Sequence, residues 1–130
     1  MSRHVYECRV RFSDVDVYGH VNNVKYFEYF QEARIAFMTT LGQGSRFDVV
    51  LARVDVDYKR PILFRTEPYV IETRLTDVGT SSFGLAAEIK DGGAVLSAAK
   101  AVLVAFDLNT QRARPLTADE RNVLQGVQEP

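Results

Sequence analysis

Soft metal ligands are scarce in this chain of 130 residues: one cysteine, Cys8, and two histidines, His4 and His20. A structural zinc site gathers three or four such ligands, so no metal site is expected, and a lone cysteine cannot close an internal disulfide. No apolar run approaches the ~20 residues of a membrane-spanning helix, and the opening MSRHVYECRV has none of the apolar stretch of a secretory signal. Together with a single thiol, a weak sign of a reducing compartment, this leads to the expectation of a cytoplasmic protein with no membrane partner. An excess charge is missing too. Sixteen basic residues face seventeen acidic ones for a net charge of -1, which leaves no field to draw nucleic acid by counterion release. G-x-S-x-G, the P-loop glycine pattern and G-x-G-x-x-G are all absent, and with them the fingerprints of serine hydrolases, nucleotide phosphate sites and dinucleotide sites.

What is present is the composition of one ordinary globular domain, 46% hydrophobic and 25% charged, long enough to bury a core without staples. Tyr6, Cys8, Val10 and Phe12 alternate with Glu7, Arg9 and Arg11, the mark of a half-buried strand. A polar stretch, SDVDVYGHVNN, ends in two good N-cap residues, so a helix is predicted from Asn22 or Asn23. Tyr26, Phe30, Ala33, Phe37 and Leu41 follow at helical spacing, with Val24, Phe27 and Met38 widening the stripe, and Gly42 and Gly44 stop it. So broad a stripe predicts a helix wrapped by other elements. Val50, Ala52, Val54, Val56 and Tyr58 then alternate in a strand closed by Pro61, and another strand runs from about Tyr69 to Val78. Phe83, Leu85, Ala87 and Ile89 make a further strand, which Asp91-Gly92-Gly93 turns into a long final one reaching Phe106. Thr117 and Glu120 have capping-box spacing, but only a frayed, peripheral turn or two is expected there. The sum is an α+β domain in which a curved antiparallel sheet of about five strands packs on one long helix.

Polar groups concentrate between Ser13 and Asn23, where a strand gives way to a helix start. The first amides of a helix have no intrahelical partner, and a helix N-terminus favours developing negative charge. A thioester carbonyl laid against amides near Gly19 to Val21 would be polarised, with a carboxylate such as Asp16 placed to attack it or to activate water. The plainer alternative stays open at this point: Asp14 and Asp16 satisfy loop amides, and His20 caps or packs.

The segment RFSDVDVYGHVNNVKYFEYFQEAR resembles the signature of the 4-hydroxybenzoyl-CoA thioesterase-like branch of the hotdog superfamily, and is similar to the D-x-x-x-H-V-N-N-x-x-Y segment of plant acyl-ACP thioesterases. The order of strand, motif loop, long helix and four strands extends the likeness over about residues 4 to 107, leaving 108 to 130 as a peripheral tail of one domain. The resemblance implies a hotdog fold and an acyl-CoA thioesterase, with coenzyme A as part of the substrate and no separate cofactor. It assigns catalysis to Asp16, with Gly19 freeing the backbone to donate and His20 and Val21 beside it, and leaves Asp14 structural. The acyl-ACP relatives place an asparagine where this chain has Tyr18, so their full Asp-Asn-His set is not carried over. Substrate contacts are expected from Tyr18, Asn23, Tyr26, Lys59, Arg60 and Ser81, although a solvated edge explains Lys59 and Arg60, and turn chemistry explains Ser81, more simply. The family's edge-strand dimers and tetramers imply a homodimer or homotetramer. Two other functions remain: hydrolysis of acyl-ACP, and a catalytically silent hotdog protein that binds acyl groups or serves assembly.

Overall fold

The computed structural model describes residues 3–42 and 47–129. Strand β1 (His4–Cys8) leads through a 3-10 turn (Phe12–Asp14) into helix α1 (Asn23–Gly42), which is followed by β2 (Val49–Tyr58), β3 (Tyr69–Val78), β4 (Ser82–Asp91) and β5 (Ala94–Asp107). A short β6 (Arg112–Ala113) and helix α2 (Ala118–Val127) complete it. The sheet is antiparallel in the order β1-β3-β4-β5-β2, with β6 paired to the end of β5. This is the hotdog arrangement, with α1 packed against β1 and β3.

Local chemistry accounts for most boundaries. Asn22 caps α1 by accepting the Val24 amide on Oδ1 at 3.2 Å, as its side chain suits. Tyr26, Phe30, Ala33, Phe37 and Leu41 are all buried along the inward stripe. Gly42 is the last helical residue, and Gly44 lies outside the described residues. In β3 the inward Tyr69, Ile71, Thr73 and Leu75 alternate with half-buried neighbours. The β4–β5 hairpin turns through Gly92 and Gly93, with Gly92 at φ +58°, a backbone conformation that glycine adopts without steric cost.

Two features differ from expectation. The first strand does not reach Phe12. Its partner β3 begins at Tyr69, opposite Cys8, so the chain has no ladder beyond that point, and Phe12 is 79% exposed, edge-on to Phe64. The tail is also more than a frayed turn. Its capping box is formed, with Thr117 Oγ1 accepting the Glu120 amide at 3.1 Å and Glu120 accepting the Thr117 amide at 2.9 Å. The resulting helix has ten residues and its Leu124 is fully buried among Phe37, Leu41, Phe83 and Leu103. Arg114 anchors its first turn through a double contact to Glu120 at 2.8 and 2.9 Å.

Candidate active site

The loop between β1 and α1 is pinned before it reaches the helix. Asp14 is 1% exposed; its Oδ2 accepts the Tyr29 hydroxyl at 2.7 Å and the Arg11 amide at 3.1 Å, and Arg11 Nη2 lies 3.1 Å from its Oδ1. Its carbonyl also accepts the Asn22 amide at 2.8 Å, which ties the loop to the first turn of α1. Burial alone would raise the Asp14 pKa, but the hydrogen bonds from Tyr29 and Arg11 and the Arg11 charge outweigh it and hold the carboxyl below its ordinary value. The Asp14 carboxylate is thus committed to Tyr29 and Arg11. Neighbouring Cys8 is buried, and its thiol is pushed up to about 12, so it carries no thiolate near neutrality.

A group with a depressed folded pKa stabilises above its unfolded value, about 3.9 for Asp, and loses that stabilisation as pH falls through the folded value. Asp14→Asn should therefore cost about 1–3 kcal/mol at pH 7 and markedly less at pH 3. Urea denaturation at both pH values checks this, and an equal loss at both would contradict the charge-based account.

Beyond Asp14 the chain makes a narrow loop closed by a bridge between Val15 and Val21. The Asp16 amide donates to the His20 carbonyl at 2.8 Å, and the Gly19 amide to the Asp16 carbonyl at 3.0 Å. Gly19 sits at φ +76°, where a Cβ would cost roughly 1–2 kcal/mol. Asp16 itself is exposed. Its Oδ1 accepts the amides of Tyr18 at 2.9 Å and His20 at 3.2 Å, while Oδ2 has no hydrogen bond among the described residues.

Asp16 opens onto a cleft of about 260 Å³. His20, Val21, Asn23 and Tyr26 line it from the loop and helix, and Tyr58, Lys59, Arg60 and Pro61 from the end of β2. Larger hollows exist elsewhere on the surface, but they lack a carboxylate with a free oxygen beside a helix start. Lys59 and Arg60 have no ion pair among the described residues; their amides both donate to the Leu96 carbonyl at 3.0 Å, which fixes the backbone and leaves both cationic heads available.

An accounting of amides shifts the expected carbonyl-polarising group. The Gly19 and His20 amides are engaged by Asp16, and the Val21 amide donates to the Ile62 carbonyl at 2.8 Å. Asn22 donates to Asp14, Val24 to Asn22 Oδ1, and Lys25 to the Asn22 carbonyl at 2.9 Å. Asn23, the first residue of α1, is left as the amide in this run with no acceptor among the described residues, at the positive end of the helix dipole.

Of the other expected site residues, Tyr18 is 80% exposed with its ring 6.4 Å from that of His20, outside the cleft. The His20 imidazole makes no hydrogen bond to Asp16 or to any other described residue. Ser81 stands apart: its carbonyl accepts the Ala105 amide at 2.8 Å, whereas the cleft adjoins Leu96, about 30 Å away along β5. Tyr58 is the residue that sequence reasoning passed over. Its hydroxyl donates to the Asn23 carbonyl at 2.9 Å, and its ring lies edge-on to Tyr26 at 4.7 Å. The Tyr26 hydroxyl in turn accepts the Ile62 amide at 3.2 Å. In the sequence Tyr58 reads only as the last alternating position of a strand. Among the described residues no group of three or more His, Cys, Asp or Glu is placed to hold a metal ion, and no helix is long and apolar enough to cross a membrane.

Known proteins resemble this chain in sequence and in fold. The long-chain acyl-CoA thioesterase FadM of Escherichia coli K12 is 29% identical over 129 positions, covering 92% of this chain and 95% of that protein. The uncharacterized protein YsmA of Bacillus subtilis is 35% identical over 79 residues, a match that spans 53% of YsmA, about half its length. Among solved structures, a Thermus thermophilus thioesterase complexed with coenzyme A and zinc has a TM-score of 0.83 at 30% identity, covering 97% of this chain and 95% of that one. A predicted thioesterase from Bacillus stearothermophilus has a TM-score of 0.89 at 24% identity over 98% and 97% of the two chains, a likeness of fold. The sequence pattern of the thioesterase-like superfamily matches residues 10–124, and the chain belongs to that superfamily.

Proposed function

We propose that this chain is an acyl-CoA thioesterase in which Asp16 is the reacting carboxylate and the Asn23 amide binds the thioester oxygen. The observation that carries the reading is one cleft lined by both Asp16, whose Oδ2 has no hydrogen bond among the described residues, and Asn23, whose helix-start amide has no acceptor among them. The carbonyl oxygen rests on the Asn23 N–H, where charge developing on it is met by a fixed donor and the helix dipole. Asp16 Oδ2 either attacks the carbonyl carbon, expelling the coenzyme A thiolate and leaving an acyl anhydride that water hydrolyses, or takes a proton from the attacking water. Gly19 permits the loop that presents Asp16, and the Tyr18 and His20 amides hold its other oxygen. His20, Val21 and Tyr26 wall the cleft, and the Lys59 and Arg60 heads suit the phosphates of coenzyme A.

The active form we infer is a homodimer or homotetramer. β2 is an edge strand of ten residues with Val50 38% and Leu51 43% exposed, a pairing edge that monomers rarely leave open. The chemistry uses no metal or cofactor, and a reducing, cytoplasmic setting suits the lone buried thiol.

The test is release of free thiol from a panel of aromatic and aliphatic acyl-CoA esters, then from the matching acyl-ACP esters, with and without a chelator and with mass checked by light scattering. Turnover of an acyl-CoA ester that survives chelation, by a species larger than a monomer, is the expected result. Hydrolysis of acyl-ACP alone would move the substrate assignment, and no hydrolysis at all would leave an acyl-binding or assembly protein.

A further inference from the structure

A second polar site lies along α1, about 16 Å beyond Asn23 at the helical rise. Arg34 is half-buried there, and among the described residues it makes no hydrogen bond or ion pair. Burial holds its guanidinium below the ordinary value, and no carboxylate opposes that shift. Next to it Thr73 is 1% exposed, with an Oγ1 that has no hydrogen-bond partner. Buried polar groups of this kind are almost always paired.

Arg34 and Thr73 line one small chamber of about 10 Å³ under the helix, kept open by Ala87, Ala99 and Ala101. That is room for one oxygen of a carboxylate whose remaining atoms lie outside the chamber, beside Arg34. On its outer side Arg34 also borders an open cleft of about 390 Å³ with Ile35, Met38, Phe47 and Leu51. Strand register relates this place to the catalytic cleft. Tyr58 pairs with Ser97, Val56 with Ala99 and Val54 with Ala101, so the chamber sits four residues down β5, about 13 Å away. Because α1 packs against β1 and β3, Val54 and Val56 on that path are only half-buried.

We propose that Arg34 and Thr73 form a subsite for an oxygen acceptor, a carboxylate above all, at the far end of the acyl group, so that thioesters of dicarboxylic acids are preferred over plain alkyl esters of equal length. The inference rests on the thioesterase reading and deepens it. A guanidinium gives two parallel hydrogen bonds to a carboxylate, and the Thr73 hydroxyl supplies another donor at the chamber floor. An alkyl end would leave these desolvated donors unmet, and sites built to bond an oxygen discriminate strongly against analogues that lack it.

The experiment compares kcat/KM for decanedioyl-CoA with decanoyl-CoA, and dodecanedioyl-CoA with dodecanoyl-CoA, esters long enough to span the distance, in the unaltered protein and in Arg34→Met. The diacid ester should be favoured by ~10-fold or more, and Arg34→Met should bring the ratio close to one, with Thr73→Val lowering it less. No preference, or a ratio unchanged in Arg34→Met, would overturn the proposal. So would dissociation of the oligomer in Arg34→Met, since Arg34 would then be bonding a second copy. Calorimetric binding of free dodecanedioate against dodecanoate, in the same two proteins, tests the subsite even if no ester is hydrolysed. Tighter binding of the diacid, lost in Arg34→Met, supports it, and equal or absent binding of the two acids overturns it.

Discussion

Asp16→Asn should lower kcat by ~10²–10⁴-fold, the range for loss of a positioned acid or base, while leaving the fold and oligomer size unchanged. The size of the side chain is kept, and its amide oxygen can still accept the Tyr18 and His20 amides that hold Oδ1 at 2.9 and 3.2 Å. What disappears is the negative oxygen that has no hydrogen bond among the described residues. Asp14→Asn is the matched control two residues away. Its carboxylate is committed to Tyr29 and Arg11, so its loss should register in stability much more than in turnover. The two variants are to be assayed on the best ester of the panel, with circular dichroism to confirm folding. Undiminished turnover in Asp16→Asn would falsify the carboxylate mechanism, and a larger kinetic loss in Asp14→Asn would exchange the roles of the two acids.

A main-chain substitution tests the other half of the site. Asn23→Pro deletes the helix-start amide that has no acceptor among the described residues, and proline is well suited to the first position of a helix, where its fixed φ fits and its missing N–H breaks no helical bond. The preceding Asn22 acts as the cap, a role filled by an extended backbone that proline also favours in its neighbour. The Asn23 carbonyl that receives the Tyr58 hydroxyl is retained. Turnover should fall by ~10²–10³-fold, as when one oxyanion donor is removed, with little change in melting temperature. Asn23→Ala keeps the amide and should lose far less. If the alanine variant is as slow as the proline variant, the side chain is responsible and the backbone assignment is wrong.

Elements governed by local chemistry were legible in the sequence. The asparagine cap, the stripe from Tyr26 to Leu41, the two-glycine hairpin and the bounds of β3 each depend on residues within a few positions of one another. The end of β1 was not, because it depends on where β3 begins, some sixty residues later. The same reason hid which amide is left without an acceptor. Nothing near Val21 reveals that its N–H is taken by Ile62, and without that long-range bond every amide from Gly19 onward looks equally available. The burial of Leu124 likewise requires α2 to dock on a core made by α1, β4 and β5, which a weakly apolar tail does not announce.

Both ends of the described chain attach to the same strand. β1 pairs with β3, the Glu129 amide donates to the Leu75 carbonyl at 3.0 Å, and Arg3 bonds Glu129 at 3.0 Å. Neither end has anywhere to dock until β3 is in place, whereas the β3–β4–β5 meander closes through short connections and has the lower contact order. The order of assembly then runs outward from the meander, and the loop carrying Asp16, which hangs between β1 and α1, takes its shape late. Fraying should start from the same seam, so Asp16 stands on the part of the molecule that is last to form and first to open.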